Sequence, residues 1–184
     1  MGQPKAWLPF GNEVLVQRVV RLLSEVVSPI VVVAAPGQEL PPLPANVLVA
    51  RDELEAQGPI GGMAVGFAAL RGQVDAAYVS ACDVPLLNPE VVRLICDHLG
   101  DADIAIPVDG AFPQPLSAVY RLTLAGRLNE MLAAGNLRVI RLWDGASVNQ
   151  IPLASLREID PELDSFRNAN TPEEFTAIQR RAGV

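Results

Sequence analysis

At 184 residues the chain is long enough for one domain, spanning 1–184, with a full hydrophobic core, and too short to suggest two. Half of its residues are hydrophobic, which excludes a disordered chain, and a formal net charge of −7 excludes a general nucleic-acid binder resting on a basic face. No apolar run is long and unbroken enough to span a bilayer, and no basic segment leads into an apolar one at the N-terminus, so neither an anchor nor a signal peptide is read.

In chain order, the apolar positions of NEVLVQRVVRLLSEVV (12–27) predict a helix with Leu15, Val19, Leu22, Leu23 and Val26 on one stripe and Asn12 as its cap. IVVVAA (30–35) is a β-branched run of the kind found in strands buried on both faces. A proline-rich connection leads to a second strand, NVLVA (46–50), and GGMAVGFAALRG (61–72) reads as a helix of small residues. AAYVSAC (76–82) is a third buried strand. A helix follows over 88–99, with Asn88 as cap and Pro89 at its first position. DIAIP (103–107) and PLSAVY (115–120) are further strands, 122–135 is a helix ended by Gly135, and 137–143 reads as another. In the tail, Thr171 and Glu174 stand at capping-box spacing around Pro172. This alternation predicts an α/β fold, a doubly wound sandwich around a mostly parallel sheet.

Such folds place their chemistry in loops at the carboxyl ends of strands. Three loops stand out: MGQPKAWLPFG (1–11), RDELEAQGPIGG (51–62) and CDVP (82–85). In the third, a buried strand delivers Asp83 into a proline-stiffened loop, where its carboxylate can hold Mg²⁺ while phosphates and water complete the coordination. The same context equally serves an aspartate that only caps a turn. Cys82 lacks a basic neighbour in sequence to activate it as a nucleophile. In GPIGG the glycines let backbone N–H groups approach an anion, or simply make a turn. Asp52 is either a ligand contact or a surface acid, and Lys5 either a phosphate contact or a solvated lysine. Cys82 and Cys96 are the only cysteines and His98 the only histidine, which gives no disulfide framework and no Cys/His zinc site. A reducing cytoplasm is the expected compartment.

The order of these motifs resembles the molybdenum cofactor guanylyltransferases, nucleotidyltransferases of Rossmann-like fold. That family runs from LAGG-x-S-x-R-MG-x-x-K-x-x-L through D-x(n)-GPLAG and CD-x-P to N-x-NTPEE. The matching segments are 1–11, 51–62, ACDVP (81–85) and FRNANTPEEF (166–175), with FPQPLSAVYR (112–121) matching a further strand that carries Gln114 where histidine is common. The resemblance implies transfer of GMP from GTP to the terminal phosphate of molybdenum-bound molybdopterin, with release of pyrophosphate. It implies Lys5 and Asp83 as catalytic residues, Asp83 as the Mg²⁺ ligand, and Lys5, Asp52, Gly58, Pro59, Gly61, Gly62 and Asp83 around GTP. Partners implied are GTP, the molybdenum-molybdopterin cofactor, and molybdoenzymes or their chaperones, with no nucleic acid and no membrane. Asn168 and Asn170 lie where the family approaches phosphates or pterin, or else they form turns and caps.

The chain also departs from the pattern. Only Met1 and Gly2 remain of LAGG-x-S-x-R-MG, so the sequence as read lacks the family's first strand and its glycine-rich loop. Either the start lies upstream of Met1 or the chain is an inactive relative. Ala34, Ala35 and Pro36 replace an asparagine that some relatives place after the 30–34 strand, which bears on base preference. The alternatives are a related enzyme using CTP or a sugar phosphate, and a truncated, non-catalytic relative acting as a binding protein. If a central strand is lacking, the strands at 30–34 and 76–82 should not pair with each other, and an open slot should lead toward Lys5.

Overall fold

The computed structural model describes residues 4–52 and 57–184. The Met1–Gly2 pair of the opening motif and residues 53–56 of the second loop lie outside that description. A 3-10 turn, Lys5–Trp7, buries Ala6. Two short strands follow, β1 (Pro9–Phe10) and β2 (Glu13–Val14), paired antiparallel around a turn in which Gly11 has φ +60°. Asn12 therefore belongs to a hairpin turn and is not the expected helix cap. The helix α1 (Leu15–Ser24) begins later, where Gln17 Oε1 accepts the N–H of Val14. Its buried stripe is Leu15, Val16, Val19, Val20 and Leu23, the period of an amphipathic helix.

The strands β3 (Ile30–Ala34) and β4 (Val47–Arg51) pair in parallel. Next come α2 (Gly58–Leu70), β5 (Ala76–Ser80) and α3 (Pro89–Asp97). The cap expected at Asn88 is present: its side chain accepts the N–H of Glu90 at 2.9 Å. Beyond lie β6 (Ile104–Asp109), β7 (Phe112–Pro113), β8 (Ser117–Arg121), a 3-10 turn at Leu122–Leu124 and α4 (Ala125–Ala133). The segment read as a helix over 137–143 is a 3-10 turn, Val139–Trp143. The chain then forms β9 (Val148–Pro152), α5 (Leu153–Leu156), a 3-10 turn at Asp164–Phe166 and α6 (Pro172–Ala182).

The larger sheet runs β5, β8, β6, β7, with β9 on β6. Its pairing is mixed. β6–β9 is parallel, as is β3–β4, whereas β8 follows β6 through a short connection that returns it antiparallel to both β6 and β5. Alternation along the strands feeds two layers of helices. Ile104 and Ile106 of β6 and Ala118 and Tyr120 of β8 face Ile60, Met63 and Phe67 of α2 and Leu128 and Met131 of α4. On the opposite face, Ala105 and Val119 meet Val91 and Ile95 of α3 and Leu153 and Leu156 of α5. No helix among the described residues is long and apolar enough to cross a membrane.

The sheet is not continuous. Among the described residues, β3 pairs only with β4 and β5 only with β8, as expected for these two runs. The β-branched run expected to be buried on both faces is consequently only half-buried over Ile30–Val33, and β5 likewise. A cavity of about 630 Å³ lies between the two strands, lined by residues of both and by Ala81 and Cys82.

Leu128 is fully buried between α4 and the sheet. Leu128→Ala should cost about 2–5 kcal/mol, read as a fall in melting temperature by calorimetry. An unchanged transition would show that this layer does not carry the fold.

Candidate active site

Three distant segments meet at Asp83. The β5 strand ends at Ser80, and the loop after it buries Asp83, which is 6% exposed, beside the fully buried Val84. The backbone there is tied to the C-terminal segment, since the N–H of Ala169 donates to the carbonyl of Asp83 at 2.9 Å. The N-terminal 3-10 turn brings in Lys5, whose Nζ donates to Asp83 Oδ2 at 2.6 Å and to Asn170 Oδ1 at 2.5 Å. With 36% of the Lys5 side chain exposed, solvent screening keeps this pair's net contribution to stability near 0–1 kcal/mol, as an order of magnitude. Its consequence is positional: an ammonium and a carboxylate are held on one spot at the end of a strand.

Asn170 is the residue that sequence reasoning undervalued. It forms part of a cap, and its side chain receives Lys5. Its N–H and that of Thr171 donate to Glu174 Oε2, each at 3.0 Å, and the N–H of Glu174 donates to Thr171 Oγ1. This capping box fixes the start of α6 and so fixes the Asn170 side chain that receives Lys5. Asn168 is solvent-exposed.

Asp83 Oδ1 is buried and has no hydrogen-bond partner. A buried carboxylate oxygen left this way is costly unless something satisfies it. Among the described residues no group of three or more His, Cys, Asp or Glu could hold a metal by themselves. A cation at Oδ1 would therefore complete its shell with phosphate and water, which is how Mg²⁺ is commonly held. The residues fit that ion.

The second cluster forms where β4 leads to α2. The N–H of Asp52 donates to the carbonyl of Ala34, which anchors it at the carboxyl end of the β3–β4 pair. Its carboxylate lies against Gly61, where an added Cβ would fall 2.6 Å from Asp52 Oδ2 and 2.7 Å from Gln57 Cβ. The helix read from Gly61 begins earlier, at Gly58, so all three glycines of GPIGG lie in the first turns of α2. Gly58 has φ +58°, Pro59 occupies the first turn, and Gly62 faces open space. A Cβ added at Gly62 would meet no protein atom within 4 Å. Neighbours of both clusters, Pro59 and Gly62 of α2 and Ala81 and Cys82 after β5, line the cavity between β3 and β5.

Cys82 has a charged neighbour after all, but the balance goes against nucleophilic use. Burial and then the Asp83 charge push its thiol above the ordinary range, and the opposing effect of Lys5 is smaller.

The glycines separate cleanly by substitution. Gly61→Ala should destabilise by about 1–3 kcal/mol, because Gln57 Cβ can move only with its backbone. Gly62→Ala should be neutral or stabilising by about 0.4–1 kcal/mol. Chemical denaturation of both variants checks this, and equal stabilities would remove the close approach of Asp52 to α2.

The chain is similar to known proteins. The profile of the MobA-like NTP transferase domain matches residues 1–148. A relative in Mycobacterium avium, named "Probable molybdenum cofactor guanylyltransferase", is 36% identical over 189 residues that cover 99% of this chain and 90% of its own. One of the same name in Mycobacterium tuberculosis is 37% identical over 164 residues, 86% of this chain and 80% of its own. In fold, the chain matches molybdopterin-guanine dinucleotide biosynthesis protein A from Archaeoglobus fulgidus with a TM-score of 0.78 at 24% identity, covering 99% of this chain and 92% of that one. It also matches 2-C-methyl-D-erythritol 4-phosphate cytidylyltransferase from Thermus thermophilus, with a TM-score of 0.73 at 16% identity over 100% and 95% of the two chains. With the family profile and the curated relatives in agreement over most of its length, the chain belongs to the MobA-like NTP transferase family and is a nucleotidyltransferase of Rossmann-like α/β fold.

Proposed function

We propose that the protein transfers GMP from GTP to the terminal phosphate of molybdenum-bound molybdopterin and releases pyrophosphate, with Mg²⁺ held at Asp83. The observation that carries this reading is the Lys5–Asp83–Asn170 group at the end of β5, with Asp83 Oδ1 buried and unpartnered beside a lysine ammonium. The names of the curated relatives supply the substrate class.

The chemistry asks mainly for positioning and charge neutralisation. An ionised phosphate oxygen of the pterin attacks the α-phosphorus in line; a P–O bond forms as the bond to the β-phosphate breaks, and pyrophosphate leaves with the electron pair. No general base is required when the attacking phosphate is already ionised. Lys5 can exchange its hold on Asn170 for a phosphate oxygen, placing its positive charge where negative charge gathers. Asn170 orients the ammonium until then. Asp52, held against Gly61 at the start of α2, serves the nucleoside end. Gly58, Pro59 and Gly62 keep side-chain bulk away from the same side. When bound, Mg²⁺ supplies charge neutralisation on the phosphates and orientation of the leaving group.

Asp83→Ala should lower guanylyl transfer at least about 10²-fold, the scale of losing one electrostatic contact to the reacting group, while the circular dichroism spectrum stays that of the parent. Asp52→Ala should weaken GTP binding and leave the Mg²⁺ dependence unchanged. Pyrophosphate release with GTP or CTP, Mg²⁺ and the molybdenum-molybdopterin acceptor measures these effects. Near-parental turnover of Asp83→Ala would overturn the metal site, and a preference for CTP would overturn the base assignment.

A further inference from the structure

The chain leaving β3 reads Ala35-Pro36-Gly37-Gln38, with proline and glycine at the two central positions of a type II β-turn. Gly37 has the positive φ that this turn needs, +68°, and the N–H of Gln38 donates to the carbonyl of Ala35 at 3.1 Å. The turn folds Gln38 back over the end of the strand. There its side-chain Oε1 accepts the N–H of Ala35 at 2.9 Å, and its main-chain carbonyl accepts from Arg51 Nη1 at 2.9 Å. The half-buried residue is thus held by both its backbone and its side chain. Because an N–H must face an oxygen, the carboxamide has one orientation. Its Nε2 donates to no acceptor among the described residues.

Asp52 belongs to the same strand ends. Arg51 pairs with Ala34 and precedes Asp52, whose N–H donates to the Ala34 carbonyl. Ala34, Ala35 and Pro36 bring no polar side chain to this place, so Gln38 is the polar side chain of the turn. The segment beyond it is tied to the turn that carries Lys5, since Trp7 Nε1 donates to the Glu39 carbonyl at 3.0 Å. A carboxylate that accepts and an amide group that donates therefore meet at the end of the β3–β4 pair.

Guanine offers the complement. Along one edge it presents an acceptor, O6, and then two donors, N1–H and the 2-amino group. A carboxylate has about four acceptor sites, room for both donors beside the interaction Asp52 already makes. Adenine carries an amino group where guanine has O6, which would set donor against donor. We propose that Gln38 is a specificity-determining residue whose Nε2 donates to guanine O6, while the Asp52 carboxylate accepts from N1–H and the 2-amino group. This deepens the proposed function and rests on its placing of the nucleoside at Asp52.

Titration calorimetry on the whole chain with Mg²⁺ tests it with GTP, the corresponding 2-aminopurine nucleotide, which lacks O6, and ITP, which lacks the 2-amino group. Gln38→Glu keeps an oxygen for the Ala35 N–H and replaces the Nε2 donor by an acceptor. The parent should prefer GTP to the 2-aminopurine nucleotide. Gln38→Glu should cut that preference at least about tenfold, a difference of roughly 1.4 kcal/mol. The analogue also lacks the N1 proton, but for both proteins alike, so the change in preference reports Gln38. The added charge repels every triphosphate and cancels in the same ratio. Gln38→Met, without that charge, should shift the preference in the same direction. The preference for GTP over ITP, set at Asp52, should stay parental. An unchanged preference for GTP over the 2-aminopurine nucleotide in both variants would overturn the proposal and leave the proposed function standing. An equal fall in the preference over ITP would also overturn it, by showing a displaced turn in place of a lost donor. A parent that prefers CTP would overturn the guanine reading itself, and this proposal with it.

Discussion

A carboxylate buried at the end of a strand, with one oxygen paired and the other not, is the constraint on which the site depends. Burying an ionised group is unfavourable unless charge and hydrogen bonds compensate it. Lys5 compensates Oδ2 of Asp83, and the chain is arranged so that it can. The turn Lys5–Trp7 is pinned by burial of Ala6 against Val16 and Val20 of α1. The C-terminal segment is pinned by Ala169, which is fully buried with Leu8, Phe10 and Leu15 and donates its N–H to the Asp83 carbonyl. Residues 5, 83 and 170 thus converge because apolar neighbours of each are buried together. What remains unsatisfied, Oδ1, is the position at which a cation would complete the balance.

The two sheet segments are held in one molecule by helices, not by a ladder. α2 packs Met63 and Phe67 into the core of the larger sheet, while Gly66 passes close to Val33 of β3. α1 packs Val19 and Leu23 against Val84, Leu87 and Val92, with Ile30 and Tyr78 at the same cluster. The Asp52 cluster and the Asp83 cluster therefore sit on bodies joined through side-chain packing across a cavity. Geometry between the Asp52 cluster and the Asp83 cluster is set by those helices.

Much of this was legible in the sequence, for physical reasons that can be named. A buried strand running into CDVP told where a carboxylate would emerge, and Asn88 and the Thr171–Glu174 pair announced helix starts because capping chemistry is local. The glycines of GPIGG were read for the approach of an anion, whereas the close approach seen at Gly61 is that of the Asp52 side chain. Other features depend on tertiary context. Asn12 has a cap's chemistry but follows Gly11, whose positive φ makes a hairpin instead. β9 buries only Ile151 deeply and reads as polar, and it became a strand because β6 offers it an edge. The antiparallel course of β8 follows from a short connection that periodicity does not report. Asn170 was visible as part of a cap, but its side-chain partner lies 165 residues away and no local pattern signals it.

The central claim is that Asp83 and Lys5 form the phosphate and metal end of the site. A crystal structure with Mg²⁺ and a non-hydrolysable GTP analogue tests it most directly. The account predicts the metal about 2.0–2.1 Å from Asp83 Oδ1, with Lys5 Nζ moved from Asn170 onto a phosphate oxygen and the base on the Asp52–Gly61 side. A nucleotide bound elsewhere, with Lys5 still bridging Asp83 and Asn170 and no metal on the carboxylate, would contradict it.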